Sequence, residues 1–355
     1  MANQTRKANI LTYIIVAFLG IIATALVILT CFIGIYFFMP TRISTSSEVP
    51  NRISTQQIEA TSTYTPSPTS TYTPSPTFTP TPTSEKFAFV SDQSGDVEIY
   101  TLDVQGNSLP TPITNNKGSV ESSPAWSPDG QKIAFQSNRN GNFDIFIMNH
   151  DGTNLQQITA NPEDDIDPDW SPDGKFVVFA LSSGSKKYEI CKKEIADPLS
   201  SMNCIGSSPE DDYMPVWSPD GQKIAFASRR DGSSQIYIMD INGNNIRLLL
   251  SHNDNQYNDE HPAWSPNSEQ LTFDRGLFDD DKHICTSNVD GSNLNCCSDF
   301  LGQYPSWSPN SNQIVFATKT NNFEIAVMQP TVPCSGFTLK TKFSGRDDYP
   351  DWSPK

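Results

Sequence analysis

Acidic residues recur at a fixed distance before a repeated Trp-Ser-Pro phrase. In five of its six copies an acid stands five residues before the tryptophan, and Gly302 holds that place in the other copy. The five acids, called the acidic ring below, are Glu121, Asp165, Asp212, Asp259 and Asp347. Copies arranged around an axis would point these carboxylates toward one mouth of a channel, where they would attract a divalent cation such as calcium, a basic peptide segment or an amino-sugar polymer. The alternative is that they are solvated loop acids or Asx-turn residues.

Two histidines are the weak candidates for a metal site. His252 and His261 share one acid-rich loop with Asp254, Asp259 and Glu260. Exposed loop histidines are usually unligated. The sequence therefore predicts no metal or other cofactor, with a calcium-type cation as the alternative.

Catalytic motifs of the common hydrolase classes are missing from the sequence. There is no Gly-x-Ser-x-Gly elbow, no His-Glu-x-x-His and no glycine-rich phosphate loop. This favours a non-catalytic protein. The alternative is an extracellular carbohydrate-active enzyme, a metal-assisted lyase or hydrolase.

The elements that position these residues come from the repeat itself. The phrase recurs every 43 to 47 residues, at Trp126, Trp170, Trp217, Trp264, Trp307 and Trp352. A period of this size is typical of a repeat architecture. In the clearest copy, residues 124–155, Ser-Pro-Asp-Gly forms a turn between two apolar strands, and Asp-Gly forms a second turn after the third strand. Each period thus holds four short strands, and its tryptophan is expected to pack between blades.

The two ends of the repeat region complement each other. Phe87-Ala-Phe89 reads as a second strand without a Trp-Ser-Pro before it, and Trp352-Ser-Pro354 has no second strand after it. We therefore predict an all-β fold for residues 85–355, a six-bladed β-propeller of four-stranded antiparallel blades. Its C-terminal strand pairs with the first blade and closes the ring.

The repeat resembles a known family. Pro-x-Trp-Ser-Pro-Asp-Gly-x-x-Ile-Ala-Phe, followed by Ser-Asn-Arg-x-Gly and Asp-Ile-Phe-Ile-Met, is similar to the WD-like propeller repeat of bacterial TolB. The resemblance covers about residues 85–355 and implies a propeller fold. The last three copies depart from it, since Asn267-Ser268, Asn310-Ser311 and the terminal Lys355 replace Asp-Gly. TolB's additional N-terminal domain also has no counterpart, so a role in the Tol-Pal envelope system is not implied.

Cysteines fall into register when the repeats are aligned. Cys191 and Cys285 share one position on the third strand, and Cys204 and Cys296 share one on the fourth. Adjacent strands with cysteines twice at the same pair of positions predict two disulfides, Cys191 with Cys204 and Cys285 with Cys296, which suits an oxidising exterior. The sequence leaves the state of Cys297 and Cys334 open. Zinc binding is the alternative, without a supporting ligand spacing.

The N-terminal residues predict a membrane protein. Residues 10–39 are apolar and uncharged, and as a helix they would reach roughly 45 Å, more than the roughly 30 Å hydrocarbon core of a bilayer. Arg6 and Lys7 precede this segment, so residues 1–9 are predicted to be a cytoplasmic tail and residues 10–39 a single-pass transmembrane signal anchor. A cleaved signal peptide is the alternative, although its apolar region is usually only about 7–15 residues.

Residues 40–84 are predicted to be a disordered Ser/Thr/Pro-rich linker. They contain the octapeptide Ser-Thr-Tyr-Thr-Pro-Ser-Pro-Thr twice in tandem, at 62–69 and 70–77. This composition cannot build a core and favours an extended stalk. The propeller would then stand outside the cytoplasm.

The charge of the repeat region excludes one class of partner. Residues 1–84 hold four Lys or Arg and two Asp or Glu, so residues 85–355 hold the remaining 20 and 38, a formal charge of −18. Nucleic-acid binders are basic, so nucleic acid is excluded. We predict a binding scaffold that uses its longer, variable loops, including 251–261 and 274–282, to bind an envelope or extracellular protein or a cell-surface glycan.

Overall fold

The computed structural model describes most of the repeat region. It covers residues 85–354 except 106–107, 185–186, 198–200, 207, 251–255, 278–280, 321, 331–333, 335 and 343–344. The predicted tail, anchor and linker lie outside the described residues. Within the described part, no helix has the length and apolar character needed to cross a membrane.

The described residues form six four-stranded antiparallel sheets, as predicted. Blade 1 combines the last strand of the chain with the first three, and blades 2 to 6 each contain four consecutive strands. The innermost strands are β4 (Glu121–Trp126), β8 (Asp165–Trp170), β12 (Asp212–Trp217), β16 (Asn258–Trp264), β20 (Gln303–Trp307) and β24 (Asp347–Trp352). The second strands are β1 (Lys86–Ser91), β5 (Lys132–Ser137), β9 (Phe176–Ser182), β13 (Lys223–Ser228), β17 (Gln270–Gly276) and β21 (Ile314–Lys319).

The outer half of each blade is less regular. The third strands are β2 (Glu98–Asp103), β6 (Asp144–Asn149), β10 (Tyr188–Glu194), β14 (Gln235–Asp240), β18 (His283–Asn288) and β22 (Phe323–Met328). The fourth strands are β3 (Thr111–Pro112), β7 (Gln156–Gln157), β11 (Asn203–Cys204), β15 (Arg247–Leu248), β19 (Asn295–Cys296) and β23 (Phe337–Leu339).

The turn between the first two strands of a blade explains the repeated phrase. In blade 2, Ser127 Oγ accepts the amide hydrogen of Lys132, and Gly130 N donates to Ser127 O at 2.8 Å. Gly130 has a φ of 66°, a conformation that costs glycine nothing. The hairpin that carries the innermost strand is therefore encoded locally.

The core lies between neighbouring blades. Each innermost strand contacts the innermost strand of the next blade, so the six strands surround an axis. The six repeated tryptophans are between 4% and 8% exposed. A phenylalanine at one shared position of each second strand is fully buried: Phe89, Phe135, Phe179, Phe226, Phe273 and Phe316.

The ring closes through the C-terminus. β24 pairs antiparallel with β1, with Phe87 opposite Trp352 and Ser91 opposite Asp347. Ser353 N also donates to Lys86 O at 2.8 Å. Blade 1 is therefore built from both ends of the repeat region, which removes two open sheet edges.

Three disulfides are present in the described residues. Cys191–Cys204 and Cys285–Cys296 join the third and fourth strands of blades 3 and 5, which confirms the predicted pairs. The sequence left the third bridge open; it joins Cys297, which follows β19, to Cys334, which lies between β22 and β23. It therefore links blade 5 to blade 6.

Candidate functional site

The structure places the acidic ring away from the channel. All five carboxylates stand at or next to the first residue of an innermost strand, and these residues are at most 1% exposed. None of them lines the axial cavity. This corrects the expectation that they converge on its mouth, and it equally excludes the alternative of solvated loop acids.

Three members of the acidic ring form buried ion pairs within their own blade. Glu121 Oε1 lies 3.2 Å from Arg139, Asp212 Oδ2 lies 3.0 Å from Arg230, and Asp259 Oδ1 lies 3.1 Å from Arg275. Arg139 and Arg230 follow the second strand of their blade, and Arg275 lies near the end of β17. The end of each second strand pairs with the start of the innermost strand. These three acids therefore fasten the first hairpin of their blades.

The other two members, Asp165 and Asp347, form no ion pair among the described residues. Burial raises the pKa of Asp165 to about 7; hydrogen bonds oppose this shift, and the nearby Asp144 and Asp164 carboxylates add to it. Burial also raises the pKa of Asp347 to about 6, and Glu324 adds to the shift. Buried carboxylates without a counter-ion bind protons more strongly than exposed ones.

In metal-free buffer with EDTA, the pH dependence of stability should show the raised pKa of Asp165. Its pKa in the folded state, about 7, lies above the ordinary aspartate value of 3.8, so the folded protein holds the proton more tightly. The stabilising contribution is full below about pH 4 and is lost as the pH rises through about 7. Asp165→Asn should therefore melt like the parent at pH 4. At pH 8 it should melt at a higher temperature than the parent, because its unfolding free energy is larger by about 2–4 kcal/mol.

Asp212→Asn is the matched control for this measurement. Asp212 occupies the same repeat position, and burial raises its pKa as well, although Arg230 opposes the shift. The substitution would leave Arg230 without its carboxylate partner, so it should lower the melting temperature at pH 8. Parallel melting curves for the parent and Asp165→Asn from pH 4 to pH 8 would contradict a raised Asp165 pKa.

A β-bulge in every innermost strand decides which residues face the axis. In blade 2, Ser122 pairs with Gln136 and Ala125 pairs with Ala134, so two residues lie opposite one. The same shift occurs in the other five blades. A bulge bends its strand and re-aims the side chain at the bulge.

The bulge carries a strained residue three positions before each tryptophan. These six residues, called the axial ring below, have φ between 49° and 56° and line the axial cavity: Ser123, Asp167, Met214, His261, Tyr304 and Tyr349. Each precedes a proline. Left-handed backbone is costly for residues with a Cβ atom. The repeated frame thus holds six side chains of five types at one level of the channel.

One side of the axial ring is aromatic. The rings of His261 and Tyr304 meet edge to face with centroids 4.3 Å apart, and Tyr304 stacks on Tyr349 at 3.9 Å. The other side contains Asp167, whose Oδ1 accepts a hydrogen bond from the Ser123 hydroxyl at 3.1 Å. The cavity they surround has a volume of about 140 Å³, enough for a few water molecules or one extended side chain.

A buried charge network lies beside the aromatic side. Lys282 is 2% exposed, and its ammonium contacts Glu260 Oε2 and, at 3.1 Å, Asp274 Oδ1. Asp274 Oδ2 lies 2.7 Å from His261 Nδ1. The Tyr213 hydroxyl donates to Glu260 Oε1 at 2.7 Å. These contacts join β12 of blade 4 to β16, β17 and the residue that precedes β18 in blade 5.

This network has the oxygen and nitrogen donors of a metal site but contains its own cation. Ligand atoms of Glu260, His261 and Asp274 all lie within 4.8 Å of one another. The Lys282 ammonium contacts both carboxylates, so it holds the position from which a divalent cation would bind them. Of the two predicted histidine candidates, His261 lies in this network and His252 lies outside the described residues.

The pKa values of the two carboxyls reflect this cation. Burial alone would raise the pKa of Glu260, but the Lys282 and His261 charges outweigh it and the pKa is lowered. For Asp274, burial is again opposed by His261 and Lys282, and its pKa is also lowered. Both groups are therefore carboxylates at neutral pH.

Sequence reasoning missed the axial ring, although it noted the proline that follows each of its residues. The residue before the repeated proline varies from blade to blade, whereas the proline and the tryptophan are constant. This pattern could have indicated the axial ring, because a variable side chain in a constant frame is typical of a recognition position. It also missed Lys282, whose partners lie on other strands.

The comparisons with known proteins concern the fold. A family model described as the TolB beta propeller domain (PD40) matches residues 44–212 and 195–355. The structure is similar to TolB from Acinetobacter baumannii, with a TM-score of 0.65, 22% identity, and coverage of 76% of this chain and 67% of that one. No curated protein matches the sequence.

Two other solved structures share the fold within larger chains. Hydrazine synthase from Kuenenia stuttgartiensis has a TM-score of 0.64 at 13% identity, covering 77% of this chain and 47% of that one. A puromycin-hydrolysing peptidase from Mycobacterium tuberculosis has a TM-score of 0.52 at 13% identity, covering 69% of this chain and 41% of that one. These likenesses extend to the fold alone.

Proposed function

We propose that this chain, which belongs to the TolB beta propeller domain family, is a non-catalytic binding module that receives its ligand at the axial ring. The observation that carries the proposal is the bulge repeated in all six innermost strands. It holds six side chains of five chemical types at one level of the channel, and all six backbone positions are strained. Strain kept in every blade around a cavity is characteristic of a site that must be preorganised.

The chemistry of the axial ring favours a cationic or amine-bearing group. Tyr304 and Tyr349 offer aromatic faces, and Asp167 offers a carboxylate on the other side of the cavity. Ammonium and guanidinium groups bind between such partners through cation–π contact and ion pairing. The formal charge of −18 on residues 85–355 would attract such a ligand over a longer distance.

The module works at the outer side of the cell membrane in this proposal. Residues 10–39 anchor it, residues 40–84 serve as the stalk, and the three disulfides suit an oxidising compartment. The ligand is a segment of an envelope or extracellular protein, or an amino-sugar glycan. The variable loops around the channel mouth provide the remaining contacts.

A capture experiment with the purified full-length protein tests the binding site. The immobilised parent is compared with the double variant Asp167→Asn/Tyr349→Ser for capture from solubilised membranes. Asp173→Asn is the control, because this acid is half exposed in the tight turn of blade 3. A partner of the axial ring should be retained by the parent and the control and bound about tenfold more weakly by the double variant.

Two results would speak against the proposal. Equal capture by all three proteins would move the binding site away from the axial ring. Loss of capture together with a lowered melting temperature of the double variant would make the loss a folding effect, so melting is measured on the same preparations.

An extracellular enzyme is the second candidate, and one contact favours it. The 2.7 Å contact between His261 Nδ1 and Asp274 Oδ2 is the arrangement that orients a general base. Against it, His261 Nε2 is buried and has no hydrogen-bond partner among the described residues, so no substrate reaches it in this conformation. Glycan cleavage by the parent that His261→Gln abolishes would establish the enzyme.

A further inference from the structure

Two blade interfaces contain a pair of buried acids. Between blades 2 and 3, Asp144 at the start of β6 lies near Asp165 at the start of β8, and their carboxylates interact electrostatically. Between blades 6 and 1, Glu324 in β22 lies near Asp347 at the start of β24 in the same way. These four residues are 2%, 0%, 7% and 0% exposed.

The two interfaces share one construction. A threonine hydroxyl accepts the amide hydrogen of the residue after the first acid, Thr159 from Ile145 at 2.9 Å and Thr341 from Ile325 at 2.8 Å. The Thr341 hydroxyl donates to Glu324 Oε2 at 2.8 Å, and Thr159 Oγ1 lies 3.4 Å from Asp144 Oδ1. The pair is therefore a repeated feature of the blade, not an accident of one loop.

Oxygen atoms in both pairs lack a donor. Asp165 Oδ1 has no hydrogen-bond partner among the described residues, whereas its Oδ2 accepts from Asn161 at 2.5 Å. Neither oxygen of Asp347 has one, although Ser91 and Thr341 lie near enough to lower its pKa slightly. A buried oxygen without a partner costs stability unless something else binds it.

The other interfaces show what is missing here. The equivalent pair between blades 1 and 2, Glu98 and Glu121, also has partnerless oxygens among the described residues, but Arg139 lies 3.2 Å from Glu121 Oε1. Asp212 and Asp259 likewise have their own arginines. No ion pair of the described residues contains Asp144, Asp165, Glu324 or Asp347. As carboxylates, each of the two pairs would have a formal charge of −2 with no basic partner.

We propose that each of these two interfaces binds one divalent cation of the calcium class. A charge of −2 built from carboxylate oxygens, with a hydroxyl beside it, matches a hard cation that takes oxygen ligands. The partnerless oxygens of Asp165 and Asp347 are its first ligands, and Asp144 and Glu324 complete each pair. Buried charges are normally paired or coordinate a metal.

The cation would fasten one blade to the next. Each site joins the third strand of one blade to the innermost strand of the following blade, where the arginine-containing interfaces use an ion pair. The Asp347 site lies on β24, the strand that closes the ring. Calcium outside the cell would then strengthen the closure.

Protons are the competing partner for the same oxygens. Without a cation each pair would be neutralised by protonation, and the melting temperature would depend on pH instead of calcium. Calcium binding and protonation can be distinguished at pH 8, because the acids lose their protons at this pH and then bind a metal ion more strongly.

The test uses the full-length protein freed of metal with EDTA and dialysed. Melting at pH 8 is followed as Ca²⁺ is added to the parent, Asp165→Asn, Asp347→Asn and the double variant, with Asp212→Asn as the matched control. The parent and the control should gain several degrees in Tm, each single variant about half of that, and the double variant none. Equilibrium dialysis should find about two Ca²⁺ per chain in the parent, one in each single variant and none in the double variant.

Three results would overturn the proposal. Absence of Ca²⁺ uptake by the parent, together with a pH-dependent melting temperature, would assign the sites to protons. A calcium response that persists in the double variant would place the metal elsewhere. Loss of the response in Asp212→Asn as well would show that any change in the acidic ring prevents binding indirectly.

Discussion

Removing residues 348–355 is expected to lower the melting temperature by about 10 °C or more, or to abolish cooperative unfolding. This deletion takes away most of β24, which pairs with β1 over Phe87 to Ser91. It also removes the buried Trp352, whose ring lies 6.4 Å from that of Phe87. Loss of one buried tryptophan alone typically costs about 3–5 kcal/mol.

The same strand fastens the neighbouring blades. Asp351 Oδ2 accepts the amide hydrogen of Trp126 in blade 2 at 2.8 Å, and its Oδ1 accepts from the Ser306 hydroxyl in blade 6 at 2.9 Å. The deletion therefore disturbs three blades at once and exposes two sheet edges.

Thermal unfolding followed by circular dichroism measures this effect. The control is a chain that lacks only Pro354 and Lys355, which follow β24, and it should melt within a few degrees of the parent. An unchanged melt after the longer deletion would mean that closure through β24 contributes little to stability.

Lys282→Met is expected to cost about 3–5 kcal/mol of unfolding free energy. The substitution keeps most of the side-chain volume but removes the cation that contacts Glu260 and Asp274. Both carboxylates would then be buried without it, and burying an uncompensated charge is among the largest single-residue penalties. Denaturant unfolding at pH 7 measures the difference.

The pH dependence gives this prediction a second readout. In the parent, the Lys282 and His261 charges lower the pKa of Glu260 and of Asp274. Their contribution to stability is therefore present above the ordinary values of 4.5 and 3.8 and is lost as the pH falls through the lower folded-state pKa values. Without Lys282, both carboxyls bind protons more readily in the folded state. Stability lost at pH 7 should therefore be partly regained near pH 5.

Two further variants bracket the effect. Lys175→Met removes a lysine whose ion pair with Asp173 is exposed, and it should change stability by less than about 1 kcal/mol. Adding Glu260→Gln to Lys282→Met should recover part of the loss. Equal costs for Lys175→Met and Lys282→Met would contradict the role of the buried cation.

The number of blades, the strand order and the closure could be predicted from the amino-acid sequence, because they depend on short patterns that recur in register from blade to blade. Ser-Pro-Asp-Gly sets a turn through its own hydrogen bonds, and the apolar strand after it pairs with the residues just before it. The two predicted disulfides followed from the same register, since Cys191 and Cys204 stand opposite each other on neighbouring strands. Only the closure requires a contact between distant residues, the pairing of β24 with β1.

The tertiary structure was needed to identify the side chains that line the axial cavity and the charged groups that form ion pairs. Because of the bulge, the residue three positions before each tryptophan lines the cavity, and the acid two positions earlier is buried. Residue spacing along the chain does not show which of these two positions faces the axis. Lys282 reaches acids on two other strands, while Asp165 has no basic partner although Asp212 has one. A buried charge is defined by its neighbours in space, so the packing of blade against blade set the chemistry of these sites.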